Sequence, residues 1–172
     1  MHATKTKFSV GDWIVHAFYG IGKIIDKGKM KLSGKAQTFF TVKLKNGKYW
    51  LSKEKSEVDY IRPLATKAQI KDALKEIKKQ PESLPKRYTS RKKLILETVE
   101  EGSLLKHAAL IRDLNGKKVK KKLSYEDKNW LSKLKKQFIY EGSLVYGEKK
   151  NAIKKKLKRA LKASGKQYKE KK

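Results

Sequence analysis

The chain has 172 residues, 38% of them hydrophobic and 37% charged, with a formal net charge of +29 at pH 7. That length suits one medium domain or two small ones, and the charge favours polyanionic partners, nucleic acid or an anionic membrane. With no cysteine, disulfides and thiolate metal sites are excluded. No run approaches the roughly 20 apolar residues of a membrane span. The opening MHATKTKFSVGDW lacks a signal peptide's apolar stretch, so an intracellular, soluble, cytoplasmic protein is expected. Only five of the 46 basic residues are Arg. Lysine excess alone can reflect an AT-rich genome, but the acids are unevenly spread: residues 149–172 hold twelve Lys/Arg against one acid, Glu170.

Up to about residue 65, short apolar runs alternate with glycine turns. FSVGDWIVHA, GKIID, AQTFFTVKLK, KYWLS and VDYIRPL each read as a strand. Phe40, Val42 and Leu44 alternate with Thr41, Lys43 and Lys45, the pattern of a half-buried strand. Asn46-Gly47 predicts a two-residue type I′ turn, because both central positions need positive φ. Gly20-Ile21-Gly22 is followed by strand-like residues and no helix, which favours a tight turn over a phosphate loop. Trp13 and Trp50 fall in strands and are expected to fill or edge the sheet's core. The sum is a small, strongly bent sheet of the SH3 or Tudor kind.

From Thr66 the apolar spacing becomes helical. Thr66 with Gln69 and Ser124 with Asp127 have capping-box spacing. The stripes are Ile70, Leu74, Ile77; then Leu94, Ile95, Val99; then Leu104, Leu105, Ala108, Ile111, Leu114. Leu131, Leu134, Phe138, Val145 form a fourth, with Trp130 beside it as core, and Ile153, Leu157, Ala160, Leu161 a fifth whose other face is nearly all lysine. EGSL occurs at 101–104, where it reads as a helix stop and a new N-cap, and at 141–144, where a break and a tolerated glycine both remain open. The expected fold class is α+β: a Tudor/SH3-like bent-sheet domain at 1–65, an all-helical domain at 66–163 and a disordered basic tail at 164–172.

His2, His16 and His107 are scattered and offer no metal-ligand spacing. No serine or carboxylate sits in a nucleophile or acid/base setting. We therefore expect no catalytic residue, no metal, no cofactor, no small-molecule substrate and no membrane partner. The basic helices suit phosphate neutralisation, which carries no sequence information. PKRYTSRKK, residues 85–93, sets Tyr88 among Lys86, Arg87, Arg91, Lys92 and Lys93. Residue chemistry alone leaves two readings of that ring: a core aromatic, or one presented to nucleic acid, stacked on a base for about 1–3 kcal/mol or wedged into a minor groove.

Two stretches resemble the CarD/CdnL group of bacterial transcription regulators, whose first domain is shared with the transcription-repair coupling factor. FSVGDWIVHAFYGIGKI is similar to that family's opening through Val10-Gly11-Asp12 and Gly20-Ile21-Gly22, with His16-Ala17 where the family has Tyr-Pro and Tyr19 where it has His. GSLLKHAALIRDLNGKKVKKKLSYEDKNWL resembles its helical run through Gly102, Arg112, Asp113, Leu114, Leu123, Ser124 and Lys128. The resemblance spans roughly residues 8–162.

It implies a Tudor-like domain that binds the RNA polymerase β subunit and a helical domain that touches promoter DNA, where a family Trp enters the minor groove and stabilises the open complex. Counting back from Gly102 without a gap, that Trp falls on Tyr88, and the family's basic residues fall on Arg91 and Lys93. Arg87 and Lys92, bases of the same stretch, complete the expected DNA-binding set. Polymerase contacts would fall near Met30 and Lys31 and near Ser52 and Lys53, with Lys53-Glu54 replacing the family's Val-Pro. It also implies that the helix after Ser124 runs on through Gly142. The expected protein is a non-enzymatic, monomeric, nucleoid-associated transcription regulator. The alternative is a general nucleoid-associated or RNA-binding protein that acts by charge without polymerase contact.

Overall fold

A computed structural model describes residues 8–32, 34–56, 58, 60–120 and 122–169. The chain divides into two units between Leu64 and Ala65. The first is an antiparallel sheet of β1 (Trp13–His16), β2 (Gly20–Leu32), β3 (Lys35–Lys43), β4 (Lys48–Ser52) and β5 (Ile61–Pro63), in the order β4-β3-β2-β1-β5. The second contains, among the described residues, α1 (Lys67–Lys78), α2 (Tyr88–Glu100), α3 (Leu104–Lys120), α4 (Tyr125–Tyr146) and α5 (Lys150–Lys169). The architecture is α+β.

In the sheet unit, alternation on β3 works as the sequence suggests: Phe40 and Val42 are buried with Ile14, Ile24, Leu51, Ile61 and Phe8. Three strand boundaries differ from expectation. Residues 8–12 form a turn, because Asp12 Oδ2 accepts from the Ser9 amide at 2.8 Å and the Gly11 amide donates to the Ile24 carbonyl. β2 runs six residues past Asp26, carried by its pairing with β3. The last strand is only Ile61–Pro63, and Asp59 of its expected range lies outside the described residues. A bulge between Ile24 and Asp26 turns Ile25 outward and bends β2.

The β3–β4 turn is also longer than predicted. Lys43 pairs with Lys48, leaving Leu44–Gly47 as the loop, with Gly47 at φ 99° and the Leu44 amide donating to the Gly47 carbonyl at 2.9 Å. Gly20 starts β2 at φ 88°, and a Cβ on Gly22 would meet Val42, so this Gly-rich stretch is a turn and a close-packing point. Trp50 corrects another expectation. It is 59% exposed on edge strand β4, where alternation with the buried Leu51 turns it away from the core.

In the helical unit the Thr66–Gln69 capping box closes in both directions. Ser124 accepts from the Asp127 amide, but the Asp127 carboxylate is engaged elsewhere, so only half of that box forms. Ile70, Ile77, Ile95, Val99, Ile111, Leu114, Leu131, Leu134, Phe138, Ile153 and Leu157 are buried as their spacing implies, and His107 is buried with Nε2 at 3.3 Å from the Val99 carbonyl. Leu94 and Leu105, expected on the same stripes, are exposed. A 100° step per residue moves each off the face its stripe buries. Trp130 is half-buried, with Lys133 Nζ 5.0 Å from its ring centroid.

α4 continues through Gly142, where an added Cβ would lie 2.9 Å from Ile153 Cγ2, so the second EGSL is a helix crossing point. The expected disorder from residue 164 is corrected too. α5 runs to Lys169, and buried Ser164 donates to the Lys79 carbonyl at 2.7 Å; residues 170–172 and His2 lie outside the described residues.

Gly116 on α3 faces Pro81 so closely that a Cβ would overlap the proline ring. Gly116→Ala gains about 1 kcal/mol of helix propensity but overpacks a site where such changes cost about 1–3 kcal/mol. The expected net result is a lower urea midpoint with an unchanged m-value.

Candidate nucleic-acid interface

Residues 79–87 connect α1 to α2 without regular structure, and side chains from the helices hold them. The Glu82 amide donates to Asp113 Oδ1 at 2.8 Å, and Arg112 Nη2 reaches Glu82 Oε1 at 3.2 Å. Arg91 reaches back from α2: its Nη1 donates to the Pro85 and Lys86 carbonyls at 2.9 and 3.0 Å, and its Nε donates to both oxygens of Asp127 at 3.0 and 3.1 Å. Lys117 also binds Asp127. Burial would raise the Asp127 carboxyl, but the hydrogen bonds from Lys117 and Arg91 outweigh it and hold the group below the usual carboxylate range.

On this platform α2 begins. Tyr88 is its first residue and is 42% exposed, with the Arg91 guanidinium 5.9 Å from its ring centroid. The Tyr88 hydroxyl faces Glu126 at the start of α4, and that contact, with some desolvation, raises its pKa. The N-cap residue, Arg87, provides no side-chain cap, so the first-turn amides of α2 lack that partner. Lys92 and Lys93 are exposed and make long ion pairs, each at 3.8 Å, with Glu126 and Glu97.

In the sheet unit, Gly28 pairs with Phe39 and Phe39 with Ser52, so alternation sets Met30, Ser52 and Trp50 on one face across three strands. Met30 and Trp50 are exposed there and Ser52 is half-buried. β4 is the sheet's edge strand on that side.

The family model for the CarD-like/TRCF RID domain matches residues 8–65, and the model for the CarD C-terminal domain matches residues 72–158. The chain belongs to the CarD family. No curated protein matches it. A RID domain is an RNA polymerase β-subunit interacting domain with a Tudor-like fold, and it coincides here with the five-stranded sheet. CarD-family domains are those of non-enzymatic, transcription-associated proteins. Among the described residues, no helix is long and apolar enough to cross a membrane.

In this CarD-family chain the structure brings Arg87, Tyr88, Lys92 and Lys93 together at the start of α2 and leaves them accessible. Arg91 departs from the expectation of a phosphate anchor. It is 5% exposed, and its guanidinium is committed to Asp127 and two carbonyls, because a buried guanidinium needs all its donors satisfied. It ties down the Pro85 and Lys86 carbonyls, three and two residues before Tyr88. Sequence reasoning missed Glu126, which neighbours Tyr88, and Asp127, which organises the platform. Asp127 had a visible signal in its spacing from Ser124, but that signal describes a cap. Of the four polymerase-side positions, Lys31 follows Met30 on β2 and points to the opposite face by alternation, while Lys53 follows β4 and its amide donates to the Thr38 carbonyl at 2.9 Å. Trp50 joins Met30 and Ser52 on the shared face, where core packing was expected.

Proposed function

We propose that this CarD-family chain is a transcription regulator that binds the polymerase β subunit through its sheet unit and promoter DNA through the start of α2, and that it stabilises the open complex. The observation that carries the reading is Tyr88: an exposed ring on the first turn of a helix without a side-chain cap, flanked by exposed basic side chains, on a pinned backbone.

The chemistry supports each role. First-turn amides and the positive end of the α2 dipole suit a DNA phosphate. Lys92 and Lys93 exchange long surface ion pairs, worth at most about 1 kcal/mol, for phosphates, and Arg87 adds a third cation. The Tyr88 ring, turned from Glu126, enters between base steps at the edge of melted DNA, where unstacking is already under way. A phenol is smaller than an indole and has a polar tip, so this wedge is weaker than the Trp it replaces. On the polymerase side, the Met30, Ser52 and Trp50 face and the free edge of β4 suit a protein surface, with Lys31 and Lys53 at the margins. Edge-strand pairing would give affinity and the indole a buried anchor.

The decisive experiment is open-complex lifetime with Tyr88→Ala. At the lower end of the roughly 1–3 kcal/mol for an aromatic on a base, the lifetime falls about five-fold, with thermal midpoint and polymerase binding unchanged. An unchanged lifetime with normal polymerase binding removes the wedge.

A further inference from the structure

α5 buries Ile153, Leu157, Ala160 and Leu161 and exposes Lys154, Lys158, Arg159 and Lys162. Lys135 of α4 lies near Lys118 of α3 and Lys154 of α5, and burial, reinforced by those two like charges, holds its ammonium below the usual lysine range. The acids of these helices are engaged elsewhere. Asp113 binds Arg112, Asp127 binds Arg91 and Lys117, Glu126 faces Tyr88 and Lys92, Glu148 holds Lys156, and Glu141 accepts from the Ala65 amide at 2.9 Å. Among the described residues, none of Lys118, Lys135, Lys154, Lys158, Arg159 and Lys162 has a carboxylate within ion-pair distance. Among the described residues, three helices thus carry positive charge without a paired carboxylate, a surface that attracts a polyanion.

The form of that charge follows from the surface. Lys154, Lys158 and Lys162 repeat at i, i+4, a ridge about 12 Å long. A ridge fits a charged rod, with one phosphate per ~1.7 Å of duplex axis, better than one small anion. A membrane would need an apolar helix face free to enter the lipid boundary, and α5 spends its apolar face on the core. Single-strand binding relies on open rings. Tyr140 and Tyr146 of α4 have Lys150 and Lys156 ammoniums over them at 4.1 and 4.6 Å.

This ridge is separate from the wedge. Lys135 is nine residues beyond Glu126, which places it about half a turn around α4 from the side that meets Tyr88. We infer that α3, α4 and α5 form a second, sequence-independent duplex-DNA surface, built on Lys118, Lys135, Lys154, Lys158, Arg159 and Lys162. It stands whether or not Tyr88 acts as a wedge.

The test is binding of the full chain to duplex DNA without promoter sequence, across a salt series. A Lys135→Gln, Lys154→Gln, Lys158→Gln, Lys162→Gln variant should lower the slope of log K against log salt by about 3–4, at roughly 0.9 per lost phosphate contact. The matching Lys→Arg variant should restore it, and Tyr88→Ala should leave it intact. Lys154→Gln alone, at an exposed position that keeps the fold, should lower the slope by about one. An unchanged slope in both Gln variants overturns the surface, as does an Arg variant as weak as the Gln one. Tighter binding to double-stranded RNA or to phosphatidylglycerol vesicles than to duplex DNA overturns the choice of ligand.

Discussion

Replacing Asp127 with alanine is expected to destabilise the helical unit by about 3–5 kcal/mol, because it leaves the buried Arg91 guanidinium without its counter-charge. Asp127 binds Arg91 and Lys117, and it is 2% exposed. A stability of about 5–15 kcal/mol is usual for a domain, so the loss should appear as a large fall in the urea midpoint. The pH dependence follows from the depressed Asp127 pKa. A carboxyl with a folded pKa below its unfolded value, about 3.9, stabilises the fold above that value. Its contribution disappears as pH falls through the lower folded value. The difference between wild type and Asp127→Ala is therefore full at neutral pH and shrinks below about pH 4. Equal differences at pH 7 and pH 3 would show that the pair adds nothing through ionisation. Arg91 also holds the Pro85 and Lys86 carbonyls, so the variant should lose duplex affinity at temperatures where it is still folded.

Arg112→Ala is the second large effect, again about 3–5 kcal/mol, read as a drop in thermal midpoint. The side chain is 2% exposed, and its fork joins three parts of the unit: Asp113 on its own helix at 2.7 Å, Glu76 on α1 at 2.6 Å and Glu82 in the connecting segment at 3.2 Å. Burial opposes the charged guanidinium, but Asp113, Glu76 and Glu82 outweigh it and raise the pKa. Removing the guanidinium leaves carboxylates facing one another around a void. Arg112→Lys should recover only part of the loss, since one ammonium cannot occupy three directions of a planar fork. Full recovery by lysine would mean that charge alone, without the fork's geometry, holds the segment beneath Tyr88.

Both predictions concern residues whose importance is only partly visible in the chain. Arg112-Asp113-Leu114 is legible as a motif, yet the partners Glu76 and Glu82 lie 36 and 30 positions away and carry no local pattern. Arg91 stands in a run of bases that reads as a DNA contact, and its inward turn depends on an aspartate 36 residues later. Trp50 shows the opposite case. An indole in a strand is expected inside, but an edge strand in a small sheet has only one buried face, and alternation gave that face to Leu51. The Asn46-Gly47 turn was legible as a turn but not in its register, which the Lys43 to Lys48 pairing sets.

What depends on neighbours within a few positions was legible in the chain. That covers the change from period-two to helical patterning near residue 65, the Thr66 cap, the half-buried β3, the apolar stripes and the basic overall charge, together with the motifs that carry the family resemblance. Hydrogen bonds of a turn or cap, and the face a residue takes, are properties of a short segment. The tertiary structure alone decided which bases face solvent and which are consumed by buried acids. It turned Arg91 inward and left Tyr88 outward three residues earlier on the same helix. It carried α5 past Ala163 by packing Ser164 under Lys79, and it gathered Lys118, Lys135 and Lys154 from three helices. The reason is the same in each case: whether a buried charge or an open helix end is satisfied depends on groups far away in sequence, which only the folded chain brings into range.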